Sequence, residues 1–363
     1  MADLMNNKLQ GYSFPLISGI SMQYHITVEC DQACKHCYMY NSEYYHNQKT
    51  NSLSKESSFE LLKQFNDMLK KYGLLGVVSI TGGDPILSPC FWDLLEFCKK
   101  ECDRFVVNVL GNPFHIDYKT ACRLKTMNVK GYQISIDGMR NTHDEIRKKG
   151  SFDESIRALK DLRRAGLQTM VMTTVSKHNS KDVISLMRYL SKCDFVLAYG
   201  FDRMTPIGNG SEMADELFSP KEYREFLFDL CKEEAFSTEL NVNKKENLWK
   251  LLYYELGLLD PFNEHETKKC SGCVAGVGTI SVLADGTCFS CRRLEIPIGK
   301  FPENSLEEIF INNKLTPKIR SLEEYENCVD CELKAFCRGC LATKYAVGNS
   351  IWAKEPYCWK EFG

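Results

Sequence analysis

Between about residue 20 and residue 205 short β-rich runs alternate with amphipathic segments, and a chain built this way has few ways to fold. Apolar, β-branched runs predict strands at Ile26–Val28, Val77–Thr81, Phe105–Leu110, Tyr132–Ile136, Met170–Val175 and Phe195–Tyr199. Helical signals lie between them. Leu61, Leu62, Phe65, Met68 and Leu69 keep the spacing of one buried helix face. Ser151-Phe152-Asp153-Glu154 has the form of a capping box, opening a helix that buries Ile156, Leu159 and Leu162 and stops at Gly166. Six successive βα units imply a parallel sheet with right-handed crossovers. Periodicity fits an open doubly wound sheet and a curved partial barrel equally. In both, ligands collect beyond the C-terminal strand ends, so the loops Cys30–Cys37 and Gly82–Pro85 should share one mouth. Residues 218–258 read as helical, and the polar stretch Asp260–Lys269 reads as a linker.

The first of those loops carries Cys30, Cys34 and Cys37 at CxxxCxxC spacing. Three thiolates so placed can hold three irons of a [4Fe-4S] cube and leave the fourth open to a small-molecule chelator. In a chain with 18 cysteines a chance match is a live alternative, so the distribution matters. Half of them lie between Cys270 and Cys358. Cys90, Cys98, Cys102, Cys122, Cys193 and Cys231 stand alone in apolar or helical surroundings and read as small buried hydrophobes. No apolar run is long enough to span a bilayer, and Met1-Ala2-Asp3-Leu4 lacks the basic and apolar regions of a secretory signal. The expected location is the cytoplasm, where disulfides are rare and clustered cysteines point to metal. The net charge of −2 argues against a nucleic acid partner.

Two further strand ends carry suitable chemistry. Thr81-Gly82-Gly83-Asp84-Pro85 offers backbone groups and room for a ligand to approach closely, or is simply a strand-terminating turn. Ser135-Ile136-Asp137-Gly138, followed by His143-Asp144 and Arg147, offers a hydroxyl for a ribose and a guanidinium for a carboxylate, or is a surface turn. In the C-terminal region, Cys273-x12-Gly286-x4-Cys291 is followed by Cys328-x2-Cys331-x5-Cys337-x2-Cys340 and Cys358. Taken alone, such CxxC pairs suit zinc as well as iron.

Together these motifs resemble radical S-adenosylmethionine (SAM) enzymes with a C-terminal SPASM domain, a likeness that covers most of the chain. The resemblance implies a partial (β/α)6 TIM-like barrel over residues 1–217, a helical linker over 218–268 and a SPASM domain over 269–363. It implies three [4Fe-4S] clusters. Cys30, Cys34 and Cys37 would hold the SAM-binding one. Cys328, Cys331, Cys337 and Cys358 would hold a distal auxiliary cluster, and Cys273, Cys291 and Cys340 a nearer one, with Cys270 or Cys288 as its further ligand. By the same resemblance Gly82, Gly83 and Asp84 would meet the amino group of SAM, with Asp84 standing where the family has Glu. Ser135 would meet the ribose, Arg147 the carboxylate, and His36 takes the place of an aromatic near the adenine. Cys340 departs from the pattern, since two residues rather than three separate it from Cys337.

Relatives of this kind act mostly on peptides and proteins. In the sulfatase-maturating ones an aspartate base follows the cysteine equivalent to Cys291. Here Arg292 and Arg293 follow it, which disfavours that activity and leaves no base to assign. The expected activity is oxidative crosslinking of a ribosomally made peptide, through a thioether or carbon–carbon bond. Sulfatase maturation, peptide epimerisation and small-molecule radical chemistry are the alternatives, and a non-catalytic iron–sulfur or zinc protein the remotest. The expected partners are the precursor peptide and an electron donor such as flavodoxin or ferredoxin. Twenty-nine residues precede Cys30, too few for a packed leader-recognition domain, so leader binding would fall to a separate protein or not be used.

Overall fold

The computed structural model describes residues 19–236, 240–243, 246–260, 273–320, 325, 328–334 and 336–360. Cys270 and the linker segment 261–269 lie outside them. Seven strands run parallel in chain order: β1 (Gly19–His25), β2 (Leu75–Thr81), β3 (Phe105–Leu110), β4 (Val129–Ser135), β5 (Gln168–Val175), β6 (Ala198–Arg203) and β7 (Asn241–Asn243). β8 (Thr279–Val282) pairs parallel with β1 on its other side. β9 (Thr287–Phe289) and β10 (Pro297–Lys300) extend the sheet antiparallel, giving ten strands.

Alternation along the strands assigns the two faces. Met22, Val78, Val109 and Ile134 are fully buried under the outer helices, and Tyr24 reaches Ser58 of helix Lys55–Tyr72 with a 2.7 Å hydroxyl contact. Gln23, Ser79, Asn108 and Gln133 point the other way and are half-buried, so the concave side is polar and open. Helix Lys55–Tyr72 buries Leu61, Leu62, Phe65, Met68 and Leu69 as their spacing predicts; Ser54 caps its start and Gly73, at φ 66°, ends it. The sheet is strongly curved. β9 and β6 are seven strand spacings apart, about 34 Å if flat, yet Arg293, just past β9, donates to the Arg203 carbonyl at the end of β6 at 2.9 Å. Such curvature makes a partial barrel, not a doubly wound sheet.

Several expectations are corrected. The first strand is Gly19–His25, and Ile26–Val28 is the irregular exit from it. The sixth is Ala198–Arg203, three residues later than Phe195–Tyr199. Residues 218–258 are not uniformly helical: β7 lies between helices Pro220–Phe236 and Trp249–Glu255. Ser151 is no cap either. It lies inside helix Ser151–Arg164, whose start is held by the Asp144 carboxylate, accepting from Gly150 N at 2.7 Å and Phe152 N at 2.8 Å. Of the six isolated cysteines only Cys98 is buried; the other five are half-buried.

Candidate functional site

The chain leaving β1 is pinned to the end of β2. Gly83 N donates to Thr27 O at 3.0 Å and Asp84 N to Glu29 O at 2.8 Å. A Cβ on Gly82 would stand 2.3 Å from Thr27 O, and one on Gly83 2.3 Å from Glu29 O. The two glycines therefore answer first to the close approach of residues 27–29, which fixes where the cysteine loop begins. On that loop every sulfur has a donor. Cys30 Sγ accepts from Asn112 Nδ2 at 3.2 Å and Gln32 N at 3.4 Å, Cys37 Sγ from Tyr40 N at 3.5 Å, and Arg147 Nη1 stands 3.7 Å from Cys34 Sγ. Burial pushes the Cys34 thiol up to about 12, only partly offset by Arg147. Holding it as thiolate at neutral pH takes a bound cation, and donors aimed at sulfur are what iron–sulfur ligands use.

Asp137 organises the opposite wall. Its buried carboxylate accepts from Arg147 Nε at 2.5 Å, His36 Nε2 at 2.8 Å and Thr174 N at 2.9 Å. Burial alone would raise its pKa, but Arg147 and His36 prevail and hold it well below the usual carboxylate range. An ionised carboxylate only accepts, so His36 Nε2 carries the hydrogen of this contact. Ser135 closes β4 on the half-buried concave face. Asp84 is fully buried with Oδ2 unpartnered, and burial lifts its carboxyl to about 6. An orphaned buried carboxylate oxygen is suited to an ammonium group.

The C-terminal cysteines fall into two groups. Cys328, Cys331, Cys337 and Cys358 line one cavity with Leu248 and Leu333. Cys273, Cys291 and Cys340 sit close enough together that Cys340 and Cys291 add to the effect of burial, which is the main cause lifting the Cys273 thiol to about 11. The short Cys337–Cys340 spacing is accommodated by the backbone: Arg338 and Gly339 both take φ 67°, and this double left-handed turn carries the chain from one group to the other. Cys288 is set apart. It is wholly buried in the main apolar core and donates to Gly286 O, so it does not compete for the nearer group.

Among the described residues no three cysteine sulfurs lie within 4.8 Å of one another; the sole His/Cys/Asp/Glu group that tight is Asp31, Asp84 and His115.

Sequence reasoning missed three residues of this region. His25, at the end of β1, is fully buried with both ring nitrogens unpartnered; burial and then Arg292 keep it neutral. Period-two alternation of Ile20, Met22 and Tyr24 was the signal that could have placed it on the concave face. The two arginines after Cys291 differ in role. Arg293 is committed to Asp202, to Arg203 O and to Thr205 Oγ1. Arg292 lies over Tyr38, 5.2 Å from the ring centre, and pairs with Glu295 at 3.2 Å. Neither Glu246 nor Glu355 was singled out, yet both form ion pairs with fully buried Arg203, at 2.8 and 2.6 Å.

Residues 24–190 match the radical SAM superfamily, and residues 270–332 the SPASM iron–sulfur cluster-binding domain. The AdoMet-dependent heme synthase of Nitratidesulfovibrio vulgaris is 27% identical, over 92% of this chain and 90% of that protein. The mycofactocin maturase of Mycolicibacterium smegmatis is 23% identical, over 95% of this chain and 83% of that protein. The fold is similar to that of SuiB from Streptococcus suis bound to the precursor peptide SuiA, with TM-score 0.74 at 17% identity, covering 99% of this chain and 79% of that one. A cysteine loop at the mouth of a curved parallel sheet, a second cysteine-rich region on the same sheet and both domain matches lead to one conclusion: the chain belongs to the radical SAM superfamily and carries a SPASM domain.

Proposed function

We propose that this radical SAM enzyme is a peptide maturase that forms an oxidative thioether or carbon–carbon crosslink in a ribosomally made peptide. The observation that carries the SAM chemistry is the Cys30–Cys37 loop, with three donor-supported sulfurs next to an orphaned buried carboxylate and a guanidinium. When bound, the cluster and SAM supply a 5'-deoxyadenosyl radical that takes a hydrogen atom from an unactivated carbon.

The chain's own residues bind and orient. Cys30, Cys34 and Cys37 hold the first cluster. Asp84 and the Gly82–Gly83 backbone receive the amino group of SAM, Ser135 the ribose and Arg147 the carboxylate, with His36 beside the adenine. Asp137 positions both Arg147 and His36. Cys273, Cys291 and Cys340, with Cys270, hold the nearer auxiliary cluster, and Cys328, Cys331, Cys337 and Cys358 the distal one, making three in all. Held there, the auxiliary clusters would supply acceptors for the electron left on the substrate. An electron donor of the flavodoxin or ferredoxin kind completes the system, which we place in the cytoplasm. No helix among the described residues is long and apolar enough to cross a membrane.

Support for a peptide substrate comes from the mycofactocin maturases among the relatives; Arg292, standing where sulfatase-maturating relatives carry a base, disfavours that alternative. One finding favours a second reading: heme synthases are 26–27% identical over 92% of the chain, which would make the substrate one of the heme class. The deciding experiment incubates iron-loaded protein with SAM, dithionite and either short peptides encoded beside its gene or an iron porphyrin. Loss of two hydrogen atoms from a peptide supports the maturase; turnover of the porphyrin alone overturns it.

A further inference from the structure

Buried or half-buried cations surround the auxiliary cysteines. Arg293 pairs with Asp202, Arg203 with Glu246 and Glu355, Arg292 with Glu295 and Lys360 with Glu332, while Arg338 donates to Cys273 O at 2.7 Å. Lys344 lies in helix Leu341–Gly348, which begins immediately after Cys340. Its side chain is 0% exposed and its Nζ has no hydrogen-bond partner among the described residues. The ammonium lies 4.9 Å from the ring centre of Tyr325, which is itself buried and tethered by its hydroxyl to Ile319 O at 2.9 Å. Ala275, Leu294, Ile319, Leu341, Ala342 and Ile351 form the rest of this apolar cluster, and Cys273, Cys291, Cys328 and Cys340 pack against it; the Lys344 charge acts on the Cys328 thiol. Glu355, the carboxylate that acts on Cys328, is engaged by Arg203 and by Cys340 N at 2.5 Å.

An ammonium cannot remain charged in an apolar cluster without a counter-charge, and a single aromatic face offsets only part of the desolvation. The charge that could balance it comes with Cys328. A cube on four thiolates is an anion in both redox states and gains one further negative charge on reduction. We propose that Lys344 is the counter-cation of the cluster held by Cys328, a positioning residue that raises the potential of that cluster and so makes it the better acceptor of the substrate's electron. The proposal rests on the auxiliary cysteines holding redox-active iron, as described above. A fixed positive charge beside the cluster stabilises the reduced form more than the oxidised one, because the reduced form is the more negative. Tyr325 holds the ammonium in place from beneath, so its position is set by packing and not by a mobile ion pair.

The test is an EPR-monitored redox titration of the iron-loaded full chain, comparing wild type with Lys344→Met and Lys344→Arg. Lys344→Met should move the midpoint of one auxiliary signal to more negative potential and leave the others in place, and Lys344→Arg should restore it. Full iron content in Lys344→Met with every midpoint unchanged overturns the proposal. If Lys344→Met loads no iron, Lys344→Gln takes its place with the same expectation. Loading that fails in Met and Gln but survives in Arg still assigns the charge to the cluster; failure in all three makes Lys344 a packing residue and overturns it. A wild-type protein with no auxiliary signal at all fails the cluster reading itself, an outcome distinct from any of these.

Discussion

Asp84 shows how one side chain can record an absent ligand. Its buried, unpartnered oxygen and a pKa raised to about 6 mean that the ligand-free protein loses stability as pH rises from about 4 past 6, because the unfolded carboxyl ionises first. A bound ammonium reverses that preference, since it favours the ionised form. SAM binding, measured by equilibrium dialysis between pH 5 and 8, should therefore weaken by up to about tenfold per unit below pH 6, and Asp84→Asn should bind more weakly with a flat profile across that range. Parallel profiles in the two proteins would separate Asp84 from the SAM amino group. At this scale the sequence singled out the cysteine loop, the glycine pair and Arg147, which the structure brings together. It was less legible where a role depends on a distant neighbour. Gly82 and Gly83 are required by the carbonyls of Thr27 and Glu29, more than fifty residues earlier, and Asp137 becomes an organising anion only because His36 comes to it from the cysteine loop.

Between elements, the strongest tie from barrel to C-terminal region is the ion triad of Arg203 on β6 with Glu246 and Glu355. Tyr357 lies 4.5 Å beneath the guanidinium, and the second oxygen of Glu355 accepts from Cys340 N. Removing the shared cation leaves two buried carboxylates uncompensated, so Arg203→Met should cost about 3–5 kcal/mol of stability and loosen the Cys340 end of its helix. Thermal unfolding and iron content of the auxiliary sites check both; an unchanged melting temperature would mean that the triad is dispensable. Long periodic helices such as Lys55–Tyr72 were readable, because propensity, capping and burial agree. β7 was not, since three residues reading Asn-Val-Asn carry no strand signal apart from the β6 edge they complete. The start of helix Ser151–Arg164 was misread for a related reason: Asp144, from the preceding helix, supplies the cap that Ser151 was expected to supply.

For the whole molecule, curvature matters most. It turns a ten-stranded sheet so that the loop after β9 meets the end of β6. Periodicity read the parallel sheet correctly but could not supply this curl, nor show that β8 of the C-terminal region adds directly to β1. Those depend on pairings more than 250 residues apart in the chain. The central claim is that Cys30, Cys34 and Cys37 form a site for reductive cleavage of SAM. The measurement is 5'-deoxyadenosine, detected by mass spectrometry after anaerobic incubation of iron-loaded protein with SAM and dithionite, beside a Cys34→Ala control. Product in the wild type and none above background in Cys34→Ala is the expected result; fully iron-loaded wild-type protein that forms no 5'-deoxyadenosine would contradict it.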